Sequence, residues 1–267
     1  MKIVMVGPVY PYKGGIAHYM GMMCKTFAKK HEVIALSYKM QYPKFMYKKE
    51  QKDYESDTFK VDGTNYCINT ANPFNWVHVA KKINKLSPDL VVFQWWHPYF
   101  APCYQIICSL LKTKEILFVC HNVFPHERFP MDRLLTQATL KKGKYYIVHS
   151  KLDEVDLLSV KKDARYKKAV IPTYNVFNKS QLEKDDARKI LNVAQNEFVL
   201  LFFGLIREYK GLKYLLKALS IIKNKIPELF KNTNIKNLTD SLDTLAYIIR
   251  DNPKHFRNDD ITLVLGN

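Results

Sequence analysis

Short apolar runs alternate with longer amphipathic stretches over the first 172 residues of the chain. The runs have the length and composition of buried β-strands and lie at Lys2–Val6, Val33–Leu36, Leu90–Phe93, Ile116–Cys120, Tyr145–Val148 and Ala169–Ile171. Apolar positions at helical spacing predict helices at Ile16–Lys30, Trp76–Leu86, Pro102–Leu111 and Met131–Lys141. Near-continuous apolar strands that alternate with helices are typical of a parallel sheet covered on both faces. This part of the chain therefore predicts an α/β fold.

A second unit follows a polar stretch after Pro172. Its pattern predicts a helix at Asp185–Leu191, a strand at Glu197–Phe203, a loop at Gly204–Gly211, a helix at Leu212–Lys225, a surface helix at Leu238–Ile249 and a strand at Ile261–Leu265. An independent α/β domain is usually larger than about 80 residues and has more strands than this. We therefore expect a complete domain at 1–172 and a partial one at 173–267.

Charge and cysteine content narrow the class of protein. Lys and Arg number 42 against 25 Asp and Glu, a net charge of +17, which predicts an anionic partner such as a nucleic acid, an anionic lipid or a phosphate-bearing small molecule. The five cysteines include no CxxC pair, which indicates reduced thiols in a cytosolic protein. The first apolar run breaks at Gly7 and Pro8, too early for a secretory signal, and no stretch reaches the ~18 apolar residues of a membrane span.

Two loops that follow predicted strands carry candidate chemistry. In GPVYPYKGGI, Gly14 and Gly15 directly precede a helix, where backbone amides can approach an anion; a tight turn that needs positive φ explains the pair equally well. In CHNVFPHE, His121 can bind a substrate hydroxyl, carry a proton, or satisfy the loop backbone. His121 and His126 lack the i,i+4 spacing of a zinc helix, so we expect no metal site.

Two further segments follow strands. In FFGLIREYKGL, Arg207 and Lys210 open a helix and form a candidate clamp for a diphosphate, or a solvated basic turn. The aromatic run Trp95–Phe100 suits stacking on a sugar or a base, although at least one Trp is expected in the core. Ser150 is expected to cap a helix, with Asp153 as its third residue.

The segment Tyr38–Lys52 carries five Lys and one Glu among aromatic residues. Basic and aromatic residues together are typical of an anionic membrane surface. A groove for single-stranded nucleic acid uses the same composition, and a solvated loop remains the plain alternative. No RNP, KH, zinc or helix-turn-helix signal accompanies the charge, so we expect no nucleic-acid partner.

Taken together, these segments resemble the retaining glycosyltransferase family 4, also called glycosyl transferases group 1. The resemblance rests on KIVMVGPVYPYKGGIAHY, SPDLVVFQWWHPYFAP, FVCHNVFPHE and LLFFGLIREYKGLKYLLKAL. It implies an α/β fold with two Rossmann-like domains of the GT-B type, the N-terminal one complete and the C-terminal one partial. It also implies transfer of a sugar from a nucleotide-diphospho-sugar with retention, without a metal or other cofactor.

The resemblance also implies roles for particular residues. Gly14 and Gly15 match the glycine loop near the donor, His121 matches the histidine that contacts the donor sugar, and Lys210 matches the lysine that binds the diphosphate. The arginine partner of that lysine commonly follows the strand-ending glycine; Leu205 occupies this position here, and Arg207 is the available substitute. The paired glutamates of the family have no match before Asn267, so we expect a truncated donor-binding domain.

These implications give an expected function. The acceptor is a glycan or a lipid-linked sugar, in cell-surface polysaccharide synthesis. The location is the cytoplasm, with peripheral attachment to the inner face of the cytoplasmic membrane. The alternative is a catalytically inactive remnant that binds an anionic ligand or a membrane surface.

Overall fold

The computed structural model describes residues 1–47, 50–55, 57–171, 182–195, 199–200, 208–225 and 263–264. The chain divides into two compact units, residues 1–176 and 177–267. Each unit is described by itself below.

A seven-stranded sheet forms the centre of the first unit, and each of its strands pairs parallel with its neighbours. The strands are β1 (Lys2–Val6), β2 (Glu32–Met40), β3 (Asn65–Asn69), β4 (Leu90–Trp95), β5 (Ile116–Cys120), β6 (Tyr145–Val148) and β7 (Arg165–Lys168). Their order across the sheet is β3-β2-β1-β4-β5-β6-β7. The order reverses between β1 and β4, which is where open α/β sheets bind their ligands.

Helices cover both faces of this sheet. They are α1 (Gly15–Ala28), α2 (Pro73–Leu86), α3 (Ala101–Leu110), α4 (Asp132–Leu140) and α5 (Lys151–Val160). Successive residues of each strand point to opposite faces, so Ile3 and Met5 pack with Met20 of α1 while Val4 packs on the other side with Ile83 of α2. Both faces are therefore buried, as the apolar runs predicted.

One predicted strand was wrong, and both edge strands of the sheet were missed. The last strand of the sheet is β7, whose sequence RYKK is mostly exposed, and residues 169–171, predicted as a strand, contain none. An edge strand pairs on one side alone and faces solvent, so it needs no apolar run. The pattern also missed β3, a short strand at the opposite edge.

The second unit contains fewer described elements. They are α6 (Lys184–Ile190), β8 (Val199–Leu200), a 3-10 turn (Glu208–Lys210), α7 (Leu212–Lys225) and β9 (Leu263–Val264). Both helices lie where the sequence predicts them, and β8 pairs antiparallel with β9. The rest of the predicted strands Glu197–Phe203 and Ile261–Leu265, and the predicted helix Leu238–Ile249, lie outside the described residues.

All five cysteines are free thiols, and four of them are buried. Burial raises the pKa of Cys24 to about 12, so this thiol is protonated and unreactive at neutral pH. Within the described ranges, no helix combines the length and apolar character needed to cross a lipid bilayer.

Candidate functional site

The carboxyl ends of β1, β4, β5 and β6 lie along one edge of the sheet, because these strands are parallel neighbours. The loop at residues 7–14 follows β1, Trp96 follows β4, His121 follows β5 and His149 follows β6. Core packing of the strands therefore brings together loops that are far apart in sequence.

Glycine is required at two positions in the loop after β1, for different reasons. A Cβ on Gly7 would lie 2.5 Å from Cγ of Gln94, so the loop passes directly over this side chain. Gly14 has φ +102, a conformation that other residues rarely adopt. A Cβ on Gly15 would meet no atom within 4 Å apart from its chain neighbours and the backbone of its own helix. Protein packing therefore explains Gly7, backbone conformation explains Gly14, and neither explains Gly15.

The loop is anchored from the segment around residue 52. Lys13 N donates to the Gln51 carbonyl oxygen at 3.0 Å, and Asp53 N donates to the Pro11 carbonyl oxygen at 2.7 Å. The buried Tyr12 hydroxyl donates to the Tyr38 carbonyl oxygen at 2.9 Å.

The helix α1 begins at Gly15 with no acidic residue in its first turn, so the positive end of its dipole faces the loop without a competing carboxylate.

His121 is held from behind by a buried amide. Its Nε2 lies 2.8 Å from Oε1 of Gln94, a fully buried residue on β4. Because an amide oxygen can only accept, this contact places the proton on Nε2 and leaves Nδ1 as a hydrogen-bond acceptor. Burial, with a smaller contribution from the charge of His149, lowers the pKa of His121 from 6.5 to about 3. The ring is therefore neutral at physiological pH and suits hydrogen bonding better than proton storage.

Tyr19 and His149 complete an aromatic cluster around His121. The Tyr19 ring centroid lies 5.1 Å from that of His121 and 5.3 Å from that of His149, and the two histidine rings are 5.6 Å apart. Nδ1 of His149 lies 2.8 Å from the Ala169 carbonyl oxygen and so donates to it. Nε2 of His149 is buried and has no hydrogen-bond partner among the described residues. A buried polar atom without a partner costs about 1–3 kcal/mol.

The start of α5 fixes the neighbouring loop. Ser150 caps the helix as predicted, since its side chain accepts a hydrogen bond from Asp153 N at 3.0 Å. Asp153 Oδ1 accepts from Val123 N at 3.1 Å, which ties the loop after β5 to the helix after β6. The capping pair thus also positions the loop that carries His121.

The structure brings together some of the predicted site residues. Gly14, Gly15 and His121 all follow strands at the same edge of the first unit. Lys210 belongs to the second unit, where it is exposed in the 3-10 turn before Gly211 and α7; Gly211 has φ +76. Arg207 lies outside the described residues.

The aromatic run after β4 divides between core and surface. Trp95 is fully buried, and its Nε1 donates to the Val123 carbonyl oxygen at 3.1 Å. Trp96 is half-buried and donates to the Tyr42 hydroxyl at 3.1 Å. The expectation that one Trp belongs to the core is therefore confirmed. No cluster of three or more metal-ligating side chains occurs in the described part of the chain.

Gln94, Tyr19 and His149 are the parts of the cluster that the sequence did not single out. Gln94 left one signal, a polar residue inside the otherwise apolar strand sequence LVVFQW. His149 directly precedes Ser150, the residue that caps α5, and no sequence pattern marks it separately. Tyr19 lies within an amphipathic helix and carries no separate signal.

Comparison with solved structures identifies the fold. No protein-family model matches the sequence, and no curated protein matches it. A UDP-GlcNAc 2-epimerase from Methanocaldococcus jannaschii is similar over 100% of this chain and 74% of its own, with 13% identity and a TM-score of 0.51. Together with the parallel sheet described above, this likeness confirms the predicted α/β fold of the GT-B type.

Two glycosyltransferase structures are similar over a smaller region. A lipopolysaccharide outer core galactosyltransferase matches 65% of this chain and 46% of its own, with 14% identity and a TM-score of 0.43. An alpha-glucosyltransferase in complex with UDP and DNA matches 62% of this chain and 40% of its own, with 12% identity and a TM-score of 0.42. In both cases, the matched region is less than half of the solved protein.

Proposed function

We propose that this protein is a retaining glycosyltransferase of family 4 that uses a nucleotide-diphospho-sugar. The observation that carries the proposal is the neutral His121, held by Gln94 at the same sheet edge as the Gly14–Gly15 loop. Support also comes from the order of the motifs along the sequence. The GT-B fold is compatible with this chemistry, and the similar epimerase is described by its name as acting on UDP-GlcNAc.

In the proposed complex, the donor diphosphate binds at the amide-rich loop that precedes α1. A net charge of +17 favours such an anionic ligand. Lys210, with Arg207 as its expected partner, supplies fixed positive charge that stabilises the leaving phosphate. His121 uses Nδ1 to accept a hydrogen bond from a hydroxyl of the donor sugar. We assign these residues as donor-binding, with His121, Arg207 and Lys210 also contributing to catalysis.

The proposed reaction needs no protein nucleophile and no metal ion. The acceptor hydroxyl attacks the anomeric carbon on the face from which the diphosphate departs. A new carbon–oxygen bond forms, the bond to the phosphate oxygen breaks, and the hydroxyl proton passes to the departing phosphate. The proposed acceptor is a glycan or a lipid-linked sugar of a cytoplasmic route to cell-surface polysaccharide.

Titration with a set of UDP- and GDP-sugars, followed by a turnover assay with glycan acceptors, tests the proposal. Lys210→Ala is expected to weaken binding of the preferred donor at least tenfold, about 1.4 kcal/mol. Lys217→Ala is the matched control, because Lys217 is an exposed lysine of α7. If Lys210→Ala binds the donor as tightly as the wild type, the proposed role of Lys210 in binding the diphosphate is refuted.

The same assays distinguish two other activities. Conversion of UDP-GlcNAc without an acceptor would favour an epimerase instead of a transferase. Saturable binding of nucleotide-sugars without turnover would favour the alternative of a non-catalytic binding protein. An absence of saturable binding would overturn the proposal altogether.

A further inference from the structure

A turn at residues 43–47 presents apolar side chains to solvent. Met46 N and Tyr47 N both donate to the Pro43 carbonyl oxygen, at 3.0 and 3.1 Å, which closes the turn. Phe45 is 80% exposed and Met46 is 51% exposed. Single exposed apolar residues are common on protein surfaces, so the exposure gains meaning from how the turn is held and what lies beside it.

The base of the turn is fixed by aromatic packing and hydrogen bonds. The Tyr42 ring lies 5.8 Å from Tyr47 and 5.1 Å from Tyr99, measured between centroids. Gln51 binds both backbone groups of Tyr42, accepting from its N at 3.1 Å and donating to its carbonyl oxygen at 2.9 Å. Ring packing and hydrogen bonds at Tyr42 therefore hold the turn that carries Phe45 in place.

The exposed face of α2 also presents apolar side chains to solvent, with lysines beside them. Phe74, in the first turn, is 88% exposed, and Val77 is 37% exposed. Lys81 and Lys85 lie further along this face and are also exposed. The opposite face of the helix is buried in the core, so the apolar residues at the exposed end are not needed for packing.

The turn and this helix leave the sheet side by side. They follow β2 and β3, which pair parallel up to Met40 and Asn69. Just beyond the strands, Thr70 Oγ1 donates to the Gln41 carbonyl oxygen at 2.7 Å. We call the 43–47 turn and the exposed face of α2, taken together, the apolar edge surface.

Charge around the apolar edge surface is mainly positive. The segment Tyr38–Lys52 has five lysines and a single acid, Glu50, and α2 has three lysines and no acid. Exposed Phe beside Lys is the composition of proteins that bind at the interface of an anionic bilayer. A groove for single-stranded nucleic acid also uses open aromatic faces, which Phe45 and Phe74 offer, so the test below includes single-stranded DNA as the competing ligand.

We propose that the apolar edge surface docks on an anionic lipid bilayer, with Phe45 and Phe74 entering the headgroup region and the lysines contacting the lipid phosphates. This docking is separate from donor binding and does not depend on it. It would place the sheet edge that carries His121 near the membrane surface, since all strands of the sheet are parallel.

Flotation of the full chain with vesicles tests the proposal. One vesicle type contains phosphatidylglycerol and phosphatidylcholine in equal parts, and the other contains phosphatidylcholine alone. We expect flotation with the first and not the second, and weaker flotation as salt rises. The double variant Phe45→Ser/Phe74→Ser should lower the partition coefficient at least about tenfold. Lys44→Gln and Lys81→Gln should each lower it about fivefold.

The control is the double variant Leu152→Ser/Ile190→Ser, which removes two residues that are each 68% exposed on other elements. It should float like the wild type, and circular dichroism should show that each variant is folded. The proposal is overturned if the wild type fails to float at low salt, or if Phe45→Ser/Phe74→Ser floats unchanged. It is also overturned if these substitutions weaken binding to single-stranded DNA and leave flotation intact.

Discussion

Replacing Gly15 with alanine separates a glycine needed for a ligand from one needed for the fold. Apart from its chain neighbours and the backbone of its own helix, the added methyl group would meet no atom within 4 Å, and the residue does not have positive φ. Gly15 is also the first residue of α1. Because alanine is the better helix former and restricts the unfolded chain, Gly15→Ala should leave the free energy of unfolding unchanged or raise it by up to about 1 kcal/mol.

Two neighbouring glycines provide the contrast. Gly14→Ala forces a side chain into a backbone conformation with φ +102, which should cost about 1–3 kcal/mol of stability. Gly7→Ala would place its Cβ 2.5 Å from Cγ of the buried Gln94. Such overpacking typically costs about 1–3 kcal/mol and would also disturb the contact with His121.

Gly15→Ala, which should do least harm to stability, should nevertheless weaken donor binding. If the donor diphosphate approaches the loop closely, the methyl group of Gly15→Ala occupies space the ligand needs, and the dissociation constant should rise at least tenfold, about 1.4 kcal/mol. Urea unfolding measures the free energy of unfolding, and calorimetric titration with the preferred nucleotide-sugar measures the dissociation constant. A stable Gly15→Ala protein that binds the donor as tightly as the wild type would refute the assignment of this loop to the donor.

The remaining predictions concern the histidines. Because burial lowers the pKa of His121 from 6.5 to about 3, the unfolded chain binds more protons than the folded one between these values. The contribution of His121 to stability is therefore fully present above pH 6.5 and should fall on acidification, by at most about 1.4 kcal/mol per pH unit. Urea unfolding at several pH values should show a shallower acid slope for His121→Asn, and an equal slope would contradict the prediction. His149→Leu removes a nearby charge that lowers the His121 pKa; NMR titration should find this pKa raised, and an unchanged value would exclude the coupling.

The sequence predicted the interior of the sheet better than its edges. Ile116–Cys120 and Tyr145–Val148 were predicted with the bounds that the structure shows, because central strands of a parallel sheet are buried on both faces and must be apolar. The edge strands Asn65–Asn69 and Arg165–Lys168 escape this rule because solvent replaces one neighbour. Their positions depend on pairing with a strand already in place, and local composition does not record that.

The candidate site shows the same division. Gly14 and His121 could be located from sequence because each follows an apolar strand, and parallel strands end at a common edge. Gln94 and His149 could not, because their roles come from contacts with residues 27 and 28 positions away along the chain, respectively. The orphaned Nε2 of His149 depends on the orientation of its own ring toward Ala169, which no linear pattern encodes.

Gln94 explains why the glycine loop and His121 keep a fixed relation. A fully buried amide costs free energy unless its polar atoms are paired, and an apolar residue would fill the same place without that cost. Its oxygen is paired with His121 at 2.8 Å, while its nitrogen has the weak acceptor Met23 Sδ at 3.9 Å. Gly7 packs over the same side chain from the loop. One buried residue therefore contacts both parts of the candidate site, so their geometry is set by core packing before a ligand binds, which is the preorganisation that transition-state stabilisation requires.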